Sequence, residues 1–137
     1  MTTTLNTARI TTSRFATLPV TGVAAAAVAS VATMTVAAAG HAAGISLDMA
    51  GAPIPVTGFG VLTAGFSLIG LVIAVALARW ARHPRRAFVR TTVALLALSF
   101  VPDILADAAP ATKALLMLTH LVAAAIVVPA IARRLAG

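Results

Sequence analysis

The sequence predicts an all-α integral membrane protein, a four-helix bundle with both termini on the inner side. Three observations predict it. Hydrophobic residues make up 61% of the 137 and charged residues only 9%, whereas a soluble domain carries about 25% charged residues, so this chain could not cover its surface in water. The charges are also clustered, leaving uncharged intervals from Arg14 to Asp48, Asp48 to Arg79, Arg90 to Asp103 and Lys113 to Arg133. Finally, nine of the ten basic residues fall in groups that every second interval separates.

A bilayer core of ~30 Å needs ~20 apolar residues rising ~1.5 Å each. Four segments qualify, roughly 18–39, 56–78, 88–106 and 111–132. They must be helical, because a backbone in hydrocarbon has to satisfy its own hydrogen bonds. Residues 1–17 are then an inner tail, 40–55 an outer loop, and 18–134 a single membrane domain, as the length suggests.

Span 1 admits two readings. It is a retained helix behind Arg9 and Arg14, or the core of a cleaved signal peptide whose basic n-region is MTTTLNTARITTSR and whose A-x-A sites lie in VAAAGHAAG. Cleavage would leave three spans and an external N-terminus, and a mature protein starting near Gly40 or Gly44 would reveal it. The apolar run exceeds the usual h-region, which favours retention.

In the outer loop ISLDM alternates, AGAP turns and IPVT returns, the pattern of a short hairpin. Pro53 and Pro55 cannot donate to a ladder and two strands alone are marginal, so an ordered loop is expected. His41 and Asp48 there are too few for a metal site and read as solvated. The absence of cysteine excludes disulfides and thiolate ligands. No metal or cofactor is expected.

Span 2 carries Gly58, Gly60, Ala64, Gly65, Ser67 and Gly70, and span 1 carries Gly22, Ala26, Ser30 and Ala37. Small residues at spacings of three and four let membrane helices approach closely. Packing of span 1 on span 2 is the expected use, and a homodimer face the alternative. Trp80 beside Arg79 fits an interfacial anchor.

The turn between spans 2 and 3 holds Arg79, Arg82, Arg85, Arg86 and Arg90. With Arg9, Arg14, Arg133 and Arg134 these lie on one side, and Lys113 alone on the other, a positive-inside pattern that makes both termini cytoplasmic. Asp48, Asp103 and Asp107 all fall at or near the outer side. The five arginines of the turn also suit anionic headgroups, at about 1 kcal/mol per basic residue near the surface. A net charge of +7 would suggest nucleic acid in a soluble protein. Here the charges flank spans, so the partner is the bilayer and nucleic acid is excluded. His83 reads as solvated.

Spans 3 and 4 each keep an ionisable residue inside a stretch that reads as membrane-buried, Asp103 and His120. Asp103 follows Arg90 by 13 residues and His120 precedes Arg133 by 13. In antiparallel neighbours both sit about 20 Å above the inner boundary. Asp103 shares a face with Ser99, Phe100 and Asp107, and His120 with Leu116, Met117, Ala123 and Ala124. Intramembrane ionisable residues face inward and pair, so a hydrogen-bonded Asp103–His120 pair is expected, joined by Ser99 or Thr119. Three readings compete: a pin between two helices, a proton or ion relay, and an Asp103 hydrated after a Pro102 kink. Asp107 is placed to cap span 4, with Ala108, Ala109 and Pro110 in the first turn. Pro129 is placed to bend that span.

The segments GISLDMAGAPIPVTGFGVL, RHPRR, LALSFVPDI and LTHLVAAAIVVPAIARR resemble an uncharacterised family of small, alanine-rich four-span membrane proteins from actinobacteria, classed as a domain of unknown function. The resemblance covers roughly 44–134. It implies a plasma-membrane location and four helices, and brings no catalytic or ligand residues. Beyond the one pair there is no nucleophile–base set, no carboxylate cluster and no phosphate loop, so an enzyme is not expected. A non-enzymatic structural or accessory component is expected, partnered by lipid and by a second copy or another membrane protein. The alternative is a small transporter or proton-coupled channel using Asp103 and His120.

Overall fold

The structure is a computed structural model that describes residues 2–136, with side chains described from 17 to 136. The side chains of Arg9 and Arg14 lie outside the described residues. The chain forms α1 (Thr2–Ala42), α2 (Val56–Trp80), α3 (Pro84–Leu105) and α4 (Pro110–Leu135), with a two-stranded hairpin, β1 (Asp48–Met49) and β2 (Ala52–Pro53), between α1 and α2. Each helix is long and apolar enough to cross a membrane, α1 through its Thr17–Ala42 portion.

The helices outrun the uncharged intervals at their charged ends. α1 continues back to Thr2, because a nucleated helix propagates at little cost. Arg79 lies in the last turn of α2, and Arg85, Arg86 and Arg90 lie inside α3, because arginine is a good helix former. α3 and α4 both open on proline at the first helical position, where the missing N–H costs nothing. Pro19, Pro102 and Pro129 all lie inside continuous helices.

α1 packs on α2 and α4, and α3 packs on α4 and α2, which also touch each other. Small residues bring these helices close. A Cβ on Gly22 would lie 2.5 Å from Leu71 Cδ1, one on Gly40 2.7 Å from Leu115 Cδ2, and one on Gly60 2.7 Å from Met34 Sδ. Thr33, fully buried, meets Thr63 oxygen to oxygen at 2.9 Å and ties α1 to α2. By contrast, a Cβ on Gly65 or Gly70 would meet no other part of the protein within 4 Å. Only part of the small-residue set on α2 therefore serves packing.

Two apolar cores result. One, near the α2–α3 turn, gathers Leu18, Leu71, Ala74, Phe88, Val127, Ile131 and Leu135, among others. The other, near the hairpin, holds Ala37, Leu47, Phe59, Leu115 and Leu116. α3 contributes just two buried residues, Phe88 at one end and Asp103 near the other.

The loop between α1 and α2 is a true hairpin, with Asp48 opposite Pro53 and Met49 opposite Ala52. Its two turn residues, Ala50 and Gly51, have φ of 52° and 79°. Positive φ at both central positions is the twist that closes a two-residue hairpin. Tertiary bonds supply the stability that two short strands lack. Ala50 N–H donates to the Asp107 carbonyl at 2.9 Å, and Thr112 Oγ1 donates to the Ser46 carbonyl at 2.6 Å. Leu47 is buried in the core near the hairpin, with Ile45, Met49 and Ile54 against it.

Candidate functional site

The first polar element within the helices is at the α3–α4 contact. Asp103 stands on the last turns of α3, and His120 stands in the N-terminal half of α4. His120 Nδ1 lies 3.1 Å from Asp103 Oδ2, with the carboxylate side chain 8% exposed and the imidazole 36%. The same Nδ1 lies 2.9 Å from the Leu116 carbonyl one turn back. A carbonyl can only accept, so Nδ1 must carry a hydrogen. That N–H is aimed at Leu116, and Oδ2 sits beside the axis, buried and without a well-directed bond. The contact between the two side chains is therefore one of proximity rather than a linear hydrogen bond.

The helpers expected from sequence serve elsewhere. Ser99 Oγ donates to the Leu96 carbonyl at 2.6 Å, and Thr119 Oγ1 donates to the Leu116 carbonyl at 2.7 Å. Both are back-bonds within their own helix. The neighbour that sequence placed on this face but gave no role is Phe100. Its ring meets that of His120 edge to face, with centroids 6.3 Å apart and planes at 86°, the favoured aromatic geometry. The Leu116 contact could have been read from the four-residue spacing to His120, and the Phe100 contact needed the register of two helices.

Asp107 does not cap α4. The cap is Ala109, without a side-chain bond. The reason is Pro110: a residue before proline is driven into extended backbone, and Ala109 has φ −62° and ψ 148°. The helix cannot start earlier, so Asp107 is left two residues outside and its carbonyl serves the hairpin instead. The opposite end of the turn is capped from outside, since Lys113 Nζ donates to the Ile104 carbonyl at 2.8 Å. Cationic side chains suit such C-terminal carbonyls.

The basic group lies at the other end of the helices. Arg79, Arg82, Arg85, Arg86 and Arg90 are all exposed, as are His83 and Trp80, and Arg133 and Arg134 are exposed in the last turn of α4. Basic residues near the C-terminal ends of α2 and α4 also complement the helix dipoles. His41 and Asp48 are exposed, and Asp48 accepts from Ser46 Oγ at 2.8 Å. Among the described residues no group of three or more His, Cys, Asp or Glu could hold a metal ion.

A family model described as a family of unknown function, DUF6069, matches residues 13–137. No curated protein and no solved structure matches the chain.

Proposed function

The chain belongs to the family of unknown function DUF6069, and from its structure we propose a non-enzymatic, structural or accessory component of the plasma membrane. In this reading all four helices cross the bilayer, both termini are cytoplasmic, and Asp103 with His120 pins α3 to α4. The observation that carries the pin is that Asp103 is the only buried residue of α3 apart from Phe88, and it meets His120 at 3.1 Å. Without that contact the outer half of α3 has no buried anchor. Polar contacts between membrane helices contribute about 0.6–2 kcal/mol.

Supporting the membrane placement, exposed side chains on the helices include Val61, Leu62, Phe66, Val72, Leu98 and Leu105. Water would leave a far larger apolar surface than soluble monomers expose. Retention of α1 is supported by its packing: a third of its apolar window is buried, the largest share of the four. The five arginines between α2 and α3 lie where anionic headgroups would meet them.

The experiment combines topology with stability. The chain lacks cysteine, so single cysteines at Arg85, Arg134 and Asp48 can be labelled in intact cells without a background. The reading expects Asp48→Cys to react from outside and Arg85→Cys and Arg134→Cys only after permeabilisation. Asp103→Asn and His120→Leu should each lower thermal stability in detergent. Labelling of positions 85 and 134 from opposite sides, or unchanged stability in both variants, would overturn it. A small transporter or proton-coupled channel is a second reading, favoured by the exposed part of the His120 ring, and proton flux into protein-containing vesicles tests it.

A further inference from the structure

Besides the buried, unpartnered Asp103 Oδ2, the Asp103–His120 contact leaves two more accessible polar atoms uncommitted. Neither Asp103 Oδ1 nor His120 Nε2 has a hydrogen-bond partner among the described residues, and neither is fully buried. Nδ1 must carry a hydrogen, because the Leu116 carbonyl lies 2.9 Å away. In the neutral imidazole one nitrogen donates and the other accepts, so Nε2 is an acceptor. Asp103 Oδ1 is an acceptor as well. With the imidazole neutral, the accessible part of the site therefore offers two acceptors and no donor, and only a donor can complete it. Fixing one imidazole nitrogen so that the other presents its lone pair is the way second-shell partners orient a histidine.

The surroundings set the rest of the chemistry. The imidazole stands edge to face with the Phe100 ring, and Val101, Ile104, Leu118 and Leu121 of the same two helix segments are exposed. A donor that reaches Nε2 here must cross an apolar medium, and a flat ring can pack on Phe100. An acceptor left bare in hydrocarbon costs several kcal/mol, so occupancy is favoured.

We propose that the seam between α3 and α4 binds a membrane-dissolved aromatic alcohol of the phenol or hydroquinone class, its hydroxyl donating to His120 Nε2 and its ring lying against Phe100. The proposal rests on the same contact as the pin between α3 and α4 but not on its energy.

The test uses the full chain in lipid nanodiscs, with imidazole nitrogens labelled and observed by NMR. His41→Gln and His83→Gln, both at exposed positions, assign the His120 signals. The probes are 2-naphthol and 2-methoxynaphthalene, which share ring size and lipophilicity but differ in the donor hydroxyl. The proposal expects His120 Nε2 to be unprotonated before addition. It expects 2-naphthol to move it toward the protonated position, and the ether to leave it in place. Phe100→Ala should weaken the naphthol response by about fivefold, the worth of one aromatic contact. Equal responses to the two probes, no response to either, or an Nε2 that already bears a proton would overturn it. If Asp103→Asn keeps its thermal stability while naphthol still shifts Nε2, the pin fails and the binding site stands. If Asp103→Asn loses stability and wild type ignores naphthol, the reverse holds.

Discussion

Replacing the same residue type at two places separates lipid from water as the medium around these helices. Phe88 is fully buried in the core near the α2–α3 turn, whereas Phe66 is 68% exposed on α2. In a soluble protein Phe→Ala in a core costs about 3–5 kcal/mol, made of a transfer term and a cavity term. In a bilayer the transfer term vanishes, because a separated helix keeps its phenylalanine in lipid. What remains is the cavity. Removing the ring leaves on the order of 80–100 Å³, and at ~24 cal/mol per Å³ this amounts to about 2 kcal/mol. Phe88 is also the only apolar residue that α3 buries, so few neighbours can close the gap. Phe88→Ala should therefore cost about 2 kcal/mol and Phe66→Ala about zero, within ±0.5 kcal/mol, the usual scatter for surface sites. The assay is reversible unfolding in bicelles, by steric trapping or denaturant titration, on wild type and both variants. A Phe88→Ala loss of 4 kcal/mol or more would mean that the ring leaves an apolar medium on unfolding. A loss below about 0.5 kcal/mol would mean that α3 is not held at its inner end by this side chain. Either result refutes the reasoning.

Thr33→Val removes the 2.9 Å contact with Thr63 while keeping volume, and should lower stability by about 0.6–1 kcal/mol in the same unfolding assay. Gly60→Leu should cost more, since even a Cβ would come within 2.7 Å of Met34 Sδ, whereas Gly65→Leu, with open space around it, should be neutral. Thr112→Val removes the bond to the Ser46 carbonyl and should raise hydrogen exchange at residues 46–54 by about tenfold, leaving the helices as protected as before. Asp107→Ala should leave stability within about 0.5 kcal/mol, because its contribution is a backbone carbonyl that alanine also supplies, and a larger loss would restore a role for the carboxylate.

The four helices were legible because apolar length and charge spacing report the same physical boundary. What they report is where hydrocarbon would end, and not where hydrogen bonding ends, so α2 and α3 continue through Arg79 and Arg85 without a break. Asp107 shows the limit of cap signals: its side chain is suitable, but Pro110 fixes the preceding backbone and moves the start of α4. The hairpin was visible in the alternation of ISLDM, yet what holds it comes from residues 107 and 112, over fifty positions away. No local pattern carries that information. Asp103 and His120 stand level because two antiparallel helices share one turn. Whether they aim at each other depends on helix rotation, and in the structure the imidazole divides its attention between Asp103 and its own helix.

The fastening of the hairpin bears on the order of assembly. Ser46 and Ala50 find their partners in Thr112 and Asp107, which leave the ribosome some sixty residues later. During synthesis the first two helices must therefore wait with an open clasp, and it shuts only when the last helix arrives. A chain truncated after α3 would keep its paired start but carry a loose, protease-sensitive buckle between α1 and α2.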